Sequence, residues 1–362
     1  MHAVKFIPIK AAGTRLRDFS GSSVYDKSSR PLLDLRISVT DRCNLRCTYC
    51  MPREIFDKNH IYLPRKELLS LEEIVRVAAV FVRLGVRKIR ITGGEPLLRR
   101  GIENLIEKLA KLKTPEGGSV EIAMTSNGVL LSNKARALKD AGLARITVSL
   151  DAINDAIFQR MSDSDVQVKT ILDGIAMAQQ LGFETIKVNM VVKRGVNESE
   201  ILPMARYFRN TGVILRFIEY MDVGSSNGWV MDDVVPAQQI VDLISRHYPL
   251  VSKAAGFSGE VAKRWAYVDG GGEIGVIASV TQVFCHTCTR IRLSTDGKLY
   301  TCLFAEHSNA DLRALLRQGQ TDQAISEAIA DCWQDRGDRY SELRNEASAL
   351  SRNKIEMSYI GG

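Results

Sequence analysis

Between Asp34 and Glu219 short β-rich runs and helical stretches alternate six times. The runs are Asp34–Val39, Lys88–Thr92, Val120–Thr125, Arg145–Leu150, Thr185–Val191 and Val213–Glu219. Strands that recur with a helix between each pair run parallel, joined by right-handed crossovers. An open doubly wound sheet and a barrel-like βα array both satisfy that pattern. Local signals mark the helices. Ser70-Leu-Glu-Glu73 is a capping box, and Gly85 closes its helix. Ser132 and Gly142 bracket a second helix, a third spans Val168 to Leu181 before Gly182, and Asn197 is placed to cap the one before Val213. Polar residues gather at the strands' carboxyl ends: Thr92-Gly-Gly-Glu95, Thr125-Ser-Asn-Gly128, Ser149-Leu-Asp151 and Glu219-Tyr-Met-Asp222. Both architectures build their sites on that face.

After Gly224 the rhythm breaks. A helix over Val235–His247 precedes strands at Arg264–Val268 and Glu273–Val280, joined by a glycine-rich turn. A cysteine loop, a hairpin turning at Asp296-Gly297, and helices near Asn309–Arg317 and Thr321–Trp333 follow. The expected division is an N-terminal extension (1–33), a βα array (34–224) and an α+β C-terminal region (225–362).

Seven cysteines in a chain without a visible secretory signal argue against a disulfide framework. Cys332 sits in an amphipathic pattern and reads as a small core residue. The other six form two triplets. Cys43-Asn-Leu-Arg-Cys47-Thr-Tyr-Cys50 follows the first strand, and three thiolates on one short loop can hold three corners of a cubane iron–sulfur cluster. Cys285-His-Thr-Cys288 is followed, after thirteen intervening residues, by Cys302. Zinc stays open as the alternative at each, with His60 a distant fourth ligand for the first and His286 poorly placed for the second. Arg290 and Arg292 stand two apart on an extended segment, so both can face one anion.

The excess of 49 Lys and Arg over 42 Asp and Glu, +7, suits an acidic partner. The basic residues are scattered over strands rather than massed in a tail, which fits a folded phosphate pocket. A nucleic-acid-binding iron–sulfur or zinc protein would instead show a basic stripe with interleaved aromatics, and aromatics are only 7% here. No apolar run approaches the roughly 18 residues of a membrane helix.

The CxxxCxxC loop, with Tyr49 before its last cysteine and Gly93-Gly-Glu-Pro96 one βα unit later, resembles the radical S-adenosylmethionine (SAM) superfamily. With Leu35–Cys43, Arg90–Pro96, Arg216–Met221, Phe284–Arg292 and the Gly361-Gly362 terminus, the chain from about Leu35 onward resembles the MoaA family of GTP 3′,8-cyclases. Thr289 departs from the family pattern, which has Asn there. The resemblance implies an incomplete (β/α)6 TIM-type barrel with a C-terminal α+β extension carrying a second iron–sulfur cluster. It implies two [4Fe-4S] clusters, the first on Cys43, Cys47 and Cys50 and the second on Cys285, Cys288 and Cys302. It implies SAM contacts at Tyr49, Gly94, Ser149 and Met221, and GTP contacts at Arg36, Arg90, Thr125, Lys187, Arg290 and Arg292, with Arg216 a further phosphate-side candidate. Gly361 and Gly362 become an active-site insert, since only glycine lets backbone approach so closely. The implied activity is radical cyclisation of GTP in the first step of molybdenum cofactor biosynthesis. It comes with a low-potential electron donor, a downstream cyclic pyranopterin monophosphate synthase, a homodimer, and a cytoplasmic location without nucleic-acid or membrane partners. A peptide-modifying radical SAM enzyme with an auxiliary cluster is the alternative. Arg290→Ala is expected to weaken GTP binding and leave the iron untouched.

Overall fold

The computed structural model describes residues 23–257, 259–282, 284–344 and 353–362; the first 22 residues of the expected N-terminal extension lie outside that range. All six expected strands form: β1 (Asp34–Ser38), β2 (Lys88–Thr92), β3 (Glu121–Ser126), β4 (Arg145–Ser149), β5 (Thr185–Val192) and β6 (Ile214–Glu219). They pair parallel and in chain order. Helices α1 (Leu71–Arg83), α2 (Ile102–Ala110), α3 (Leu131–Asp140), α4 (Asp155–Ser162), α5 (Val168–Gln180) and α6 (Ile201–Phe208) make the crossovers. The period-two side-chain pattern sorts each strand into two faces. On β5, Ile186, Val188, Met190 and Val192 are buried in the main hydrophobic core, while Asn189 and Val191 line an interior cavity.

The capping box forms in both directions: Glu73 N–H donates to Ser70 Oγ (3.1 Å) and Ser70 N–H to Glu73 Oε2 (2.7 Å). Ser70→Ala should therefore lower unfolding free energy by about 1 kcal/mol without touching the cavity; urea unfolding of the two proteins checks this. Two other helix signals act differently from expectation. Ser132 lies inside the first turn of α3, whose N-cap is Leu130 without a side-chain bond. Asn197 stands at the N-cap of a 3-10 turn, Glu198–Glu200, that leads into α6, but its side chain makes no capping bond. Its buried amide donates to the carbonyls of Asp151 and Val191, both at 2.8 Å, and accepts from Lys193 N–H. The ends of β4 and β5 leave those backbone groups without ladder partners, so a buried side chain must satisfy them.

Beyond Gly224 come α7 (Ala237–His247), β7 (Leu250–Lys253), β8 (Lys263–Tyr267), β9 (Glu273–Ile277), β10 (Arg290–Leu293), β11 (Lys298–Tyr300), β12 (Ala310–Asp311), α8 (Leu312–Arg317) and α9 (Asp322–Gln334). The expected hairpins are present at β8–β9 and β10–β11. In addition, β9 pairs parallel with β6 and β10 parallel with β1. Strands from this region thus extend the βα array at both ends, and one sheet runs β12-β11-β10-β1-β2-β3-β4-β5-β6-β9-β8-β7. Eight of its strands are parallel, two more than the six repeats supply. Among the described residues β9 and β10 are not paired with each other. Ile277 of β9 and Arg292 of β10 nevertheless line the same cavity, so the sheet curls into a trough. β9 and β10 point the same way, and Cys285 and Cys288 lie on the connection between them. Cys332 is a buried core residue, as its pattern suggested.

Candidate active site

The Cys43–Cys50 loop leaves the carboxyl end of β1 and puts all three sulfurs on the cavity wall. Its position is set by the two glycines after β2. Gly93 adopts a positive φ of 147°, and a Cβ there would come within 2.6 Å of the Thr40 carbonyl oxygen. A Cβ on Gly94 would lie 2.5 Å from the carbonyl carbon of Arg42. Gly94 N–H donates to Thr40 O (2.7 Å) and Glu95 N–H to Arg42 O (2.8 Å). The Gly-Gly turn is therefore a backbone-to-backbone seat for the cysteine loop. Glu95 continues the tie sideways, accepting from Leu97 N–H, Ser126 Oγ and Asn127 N–H at 2.7–2.9 Å; burial lifts its carboxyl to about 7.

Burial pushes the Cys43 thiol up to about 11 and raises Cys47 and Cys50 as well. Buried thiols of this kind ionise when a metal supplies the positive charge. Cys43 Sγ accepts weakly from Leu45 N–H (3.5 Å) and Asn127 Nδ2 (3.7 Å). Tyr49, Gly94, Ser149 and Met221 all line the cavity near this loop. Tyr49 donates to Asp151 Oδ2 (2.8 Å), and Asp151 is raised to about 6 by burial. Asn127 and Asp151 were visible in the sequence only as polar strand-end residues; their contacts with Cys43 and Tyr49 depend on neighbouring strands.

The middle of the trough is cationic. Register places Arg36 beside Arg90 on one side and Arg292 on the other. Arg90 donates to the hydroxyls of Thr125 and Thr147, both at 3.2 Å, and Arg216 to Asn189 Oδ1 (2.9 Å). Arg36, Arg90, Thr125, Arg216, Arg290 and Arg292 line the cavity; Lys187 does not. Lys187 pairs with Thr147 on β4, one inward-facing step nearer the amino ends than Asn189. Burial and then repulsion from Arg216, Lys88 and Arg90 bring Lys187 down to about 7. Burial followed by Arg292, Arg290 and Arg90 lowers Arg36, and burial followed by Arg290 brings Arg292 to about 10. Glu121 is taken up by Lys88 (3.0 Å) and Arg145 (3.2 Å) at the amino end. So many buried like charges are destabilised until an anion enters.

The second triplet closes the other end. Leu33 N–H and Asp34 N–H both donate to Thr289 O, so Cys288 lies level with the start of β1. Cys43 lies beyond that strand's far end, roughly 15 Å away at about 3.3 Å per residue. Cys285, Cys288 and Cys302 line the same cavity as the first triplet. His286 is exposed and turns toward Glu342 (3.8 Å) instead. Burial alone would raise the Cys288 thiol, but Arg290 and then Arg336 pull it down to about 6. Arg290 Nη2 lies 3.4 Å from Cys288 Sγ, so Arg290 is tied to the cysteine loop and Arg292 is the cleaner probe of anion binding. Thr289 Oγ1 donates to Asp34 Oδ2 (3.1 Å), a contact its hydroxyl makes without reaching the cavity.

The C-terminal glycines reach this cavity. Gly362 lines it, and the Gly361 carbonyl accepts from Arg292 Nη1. Gly361 has a φ of 79°, and a side chain there would collide with Thr92. The terminal segment is anchored by Lys354 Nζ on Asp222 (2.7 Å) and by Glu356 on the Ser225 and Ser226 hydroxyls. The cavity encloses about 290 Å3, close to the lower end of the ~300–1000 Å3 range of small-molecule sites.

A model of the radical SAM superfamily matches residues 37–208, and one described as Molybdenum Cofactor Synthesis C matches residues 213–342. The GTP 3′,8-cyclase of Acidothermus cellulolyticus is 51% identical, over 94% of this chain and 99% of that one. This chain belongs to the GTP 3′,8-cyclase family of radical SAM enzymes. Family members named GTP 3′,8-cyclase from Staphylococcus haemolyticus and Staphylococcus saprophyticus are 46% and 47% identical over 94% of the chain. Among solved structures, Streptococcus suis SuiB bound to S-adenosylmethionine superposes with a TM-score of 0.58 at 14% identity, covering 85% of this chain and 67% of that one. The enzyme anSMEcpe with AdoMet and a peptide gives 0.52 at 14%, covering 88% of each. These two share the fold. As a radical SAM enzyme, this family member uses a [4Fe-4S] cluster and SAM, and the first triplet fits that cluster: three free cysteine sulfurs, one loop, one cavity wall.

Proposed function

We propose that this chain converts GTP to (8S)-3′,8-cyclo-7,8-dihydroguanosine 5′-triphosphate, the first step of molybdenum cofactor biosynthesis. The observation that carries this is the row of arginines, half-buried Arg36, Arg90, Arg216 and Arg290 and buried Arg292, lying between two cysteine triplets on one cavity. A nucleoside triphosphate supplies the negative charge that row lacks. Residues 34–224 provide the SAM half, with Cys43, Cys47 and Cys50 holding the first cluster and Tyr49, Gly94, Ser149 and Met221 facing SAM. Residues 225–362 provide Cys285, Cys288 and Cys302 for a second [4Fe-4S] cluster, plus the glycine tail.

A [4Fe-4S] cluster held by Cys43, Cys47 and Cys50 would supply the electron for reductive cleavage of SAM. The chain's own groups position and shield. Arg36, Arg90 and Arg292 grip the triphosphate, Thr125 stands beside them, and Lys187 adds charge from behind the wall. Gly361 and Gly362 narrow the space around the ribose, which keeps a radical from straying. The enzyme works as a homodimer in the cytoplasm, takes electrons from a low-potential donor, and passes its product to cyclic pyranopterin monophosphate synthase.

The test is anaerobic turnover of the iron-reconstituted protein with SAM, reductant and GTP, read by mass spectrometry. A cyclised isomer of GTP supports the proposal; 5′-deoxyadenosine release that GTP neither stimulates nor accompanies with such a product contradicts it. A second expectation concerns protons. Lys187, held near 7 in the free protein, is largely neutral at pH 8, and a polyanion raises its pKa. GTP binding at pH 8 should therefore take up about one proton. Titration calorimetry in buffers of different ionisation enthalpy reads this, and heats independent of buffer would contradict it.

A further inference from the structure

Behind the second cysteine loop lies a buried ionic cluster drawn from both ends of the chain. Arg336 has a side chain only 2% exposed, with Nη1 donating to the Cys288 carbonyl (2.7 Å) and Nε to Asp338 Oδ1 (3.0 Å). Its guanidinium stacks over Trp333 at 4.5 Å and stands 3.6 Å from Asp26. Arg30, equally buried, donates through Nη1 to the Cys285 carbonyl (2.8 Å) and through Nε to Asp26 (2.5 Å). Trp333 Nε1 donates to Arg30 O (3.0 Å), which locks the N-terminal segment against α9. Two arginines thus hold the carbonyls of the two cysteines of one CxxC turn, and Arg336 reaches the cavity wall itself.

We propose that Arg336 is a positioning residue for the second cysteine triplet: with Arg30 it fixes the Cys285–Cys288 turn, and its charge stabilises the reduced form of the cluster held there. This rests on the second-cluster reading above. A carbonyl held by a guanidinium fixes the ligand loop, and a buried positive charge near a cluster raises its reduction potential. Arg336 also balances Asp26 and Asp338. Removing its charge leaves the Asp26 carboxylate to Arg30 alone and takes the guanidinium away from the Asp338 carboxylate beside the site.

The experiment uses the full-length chain carrying Cys43→Ala, Cys47→Ala and Cys50→Ala, so that any cluster is the second one. Arg336→Gln and Arg336→Lys are compared in that background after anaerobic reconstitution. Iron per chain and the midpoint potential from an EPR-monitored redox titration are read. The expected result is about four irons per chain in the parent. The potential shifts negative in Arg336→Gln and stays near the parent value in Arg336→Lys. Equal potentials in all three proteins, an equal shift in both variants, or loss of iron from both would overturn the assignment. A parent protein that binds no iron would instead overturn the second-cluster reading, a distinguishable failure.

Discussion

Gly94→Ala should strip the first triplet of its iron and abolish SAM cleavage. The added methyl would sit 2.5 Å from the carbonyl carbon of Arg42 and 3.1 Å from Cys43 N. Both are backbone atoms of the cysteine loop, so no flexible side chain can yield. Gly94 N–H is also held by Thr40 O at 2.7 Å, which removes the option of sliding along the strand. Overpacking typically costs about 1–3 kcal/mol. Here the strain is relieved by moving the loop that bears Cys43, and a shift of roughly 1 Å is enough to spoil a metal site. The buried core of the strands lies elsewhere, so circular dichroism should be unchanged. Iron analysis and 5′-deoxyadenosine release are the readouts, and retention of iron with normal SAM cleavage would contradict the seat described for the cysteine loop.

Arg292→Ala should weaken GTP binding by roughly 10- to 150-fold, equivalent to about 1.5–3 kcal/mol for a charge-assisted bond. Arg292 is buried beside Arg36 and holds the Gly361 carbonyl. The substitution removes an anion ligand and frees the glycine tail together. Iron content and SAM cleavage without GTP should persist, because Arg292 is not hydrogen-bonded to a cysteine sulfur, unlike Arg290. Equilibrium binding of GTP to the holoenzyme checks this; wild-type affinity would remove Arg292 from the triphosphate site.

The six βα units were legible because each carries its own period and punctuation, and the strand limits agree with expectation to within a residue or two. The parallel pairing of β9 with β6 and of β10 with β1 was not. Both strands also belong to local hairpins, and the hairpin signal accounts for them completely. A second partner in a distant part of the chain leaves no local mark. The same logic separates the site residues. Cysteines at fixed spacing, and arginines two apart on a strand, announce themselves. Lys187 carried no such signature and entered only through the family resemblance; it pairs with Thr147, one inward-facing step short of Asn189, and does not line the cavity. Arg30 and Arg336 had no motif at all, and only the packing of α9 against the N-terminal segment brings them to Cys285 and Cys288.

The most direct measurement is the fate of deuterium placed at C3′ of GTP during anaerobic turnover of the reconstituted enzyme. Transfer of that deuterium into 5′-deoxyadenosine, together with a cyclised GTP isomer, is the result predicted by a triphosphate held between the two cysteine triplets. Release of 5′-deoxyadenosine free of deuterium, with GTP recovered intact, would contradict it.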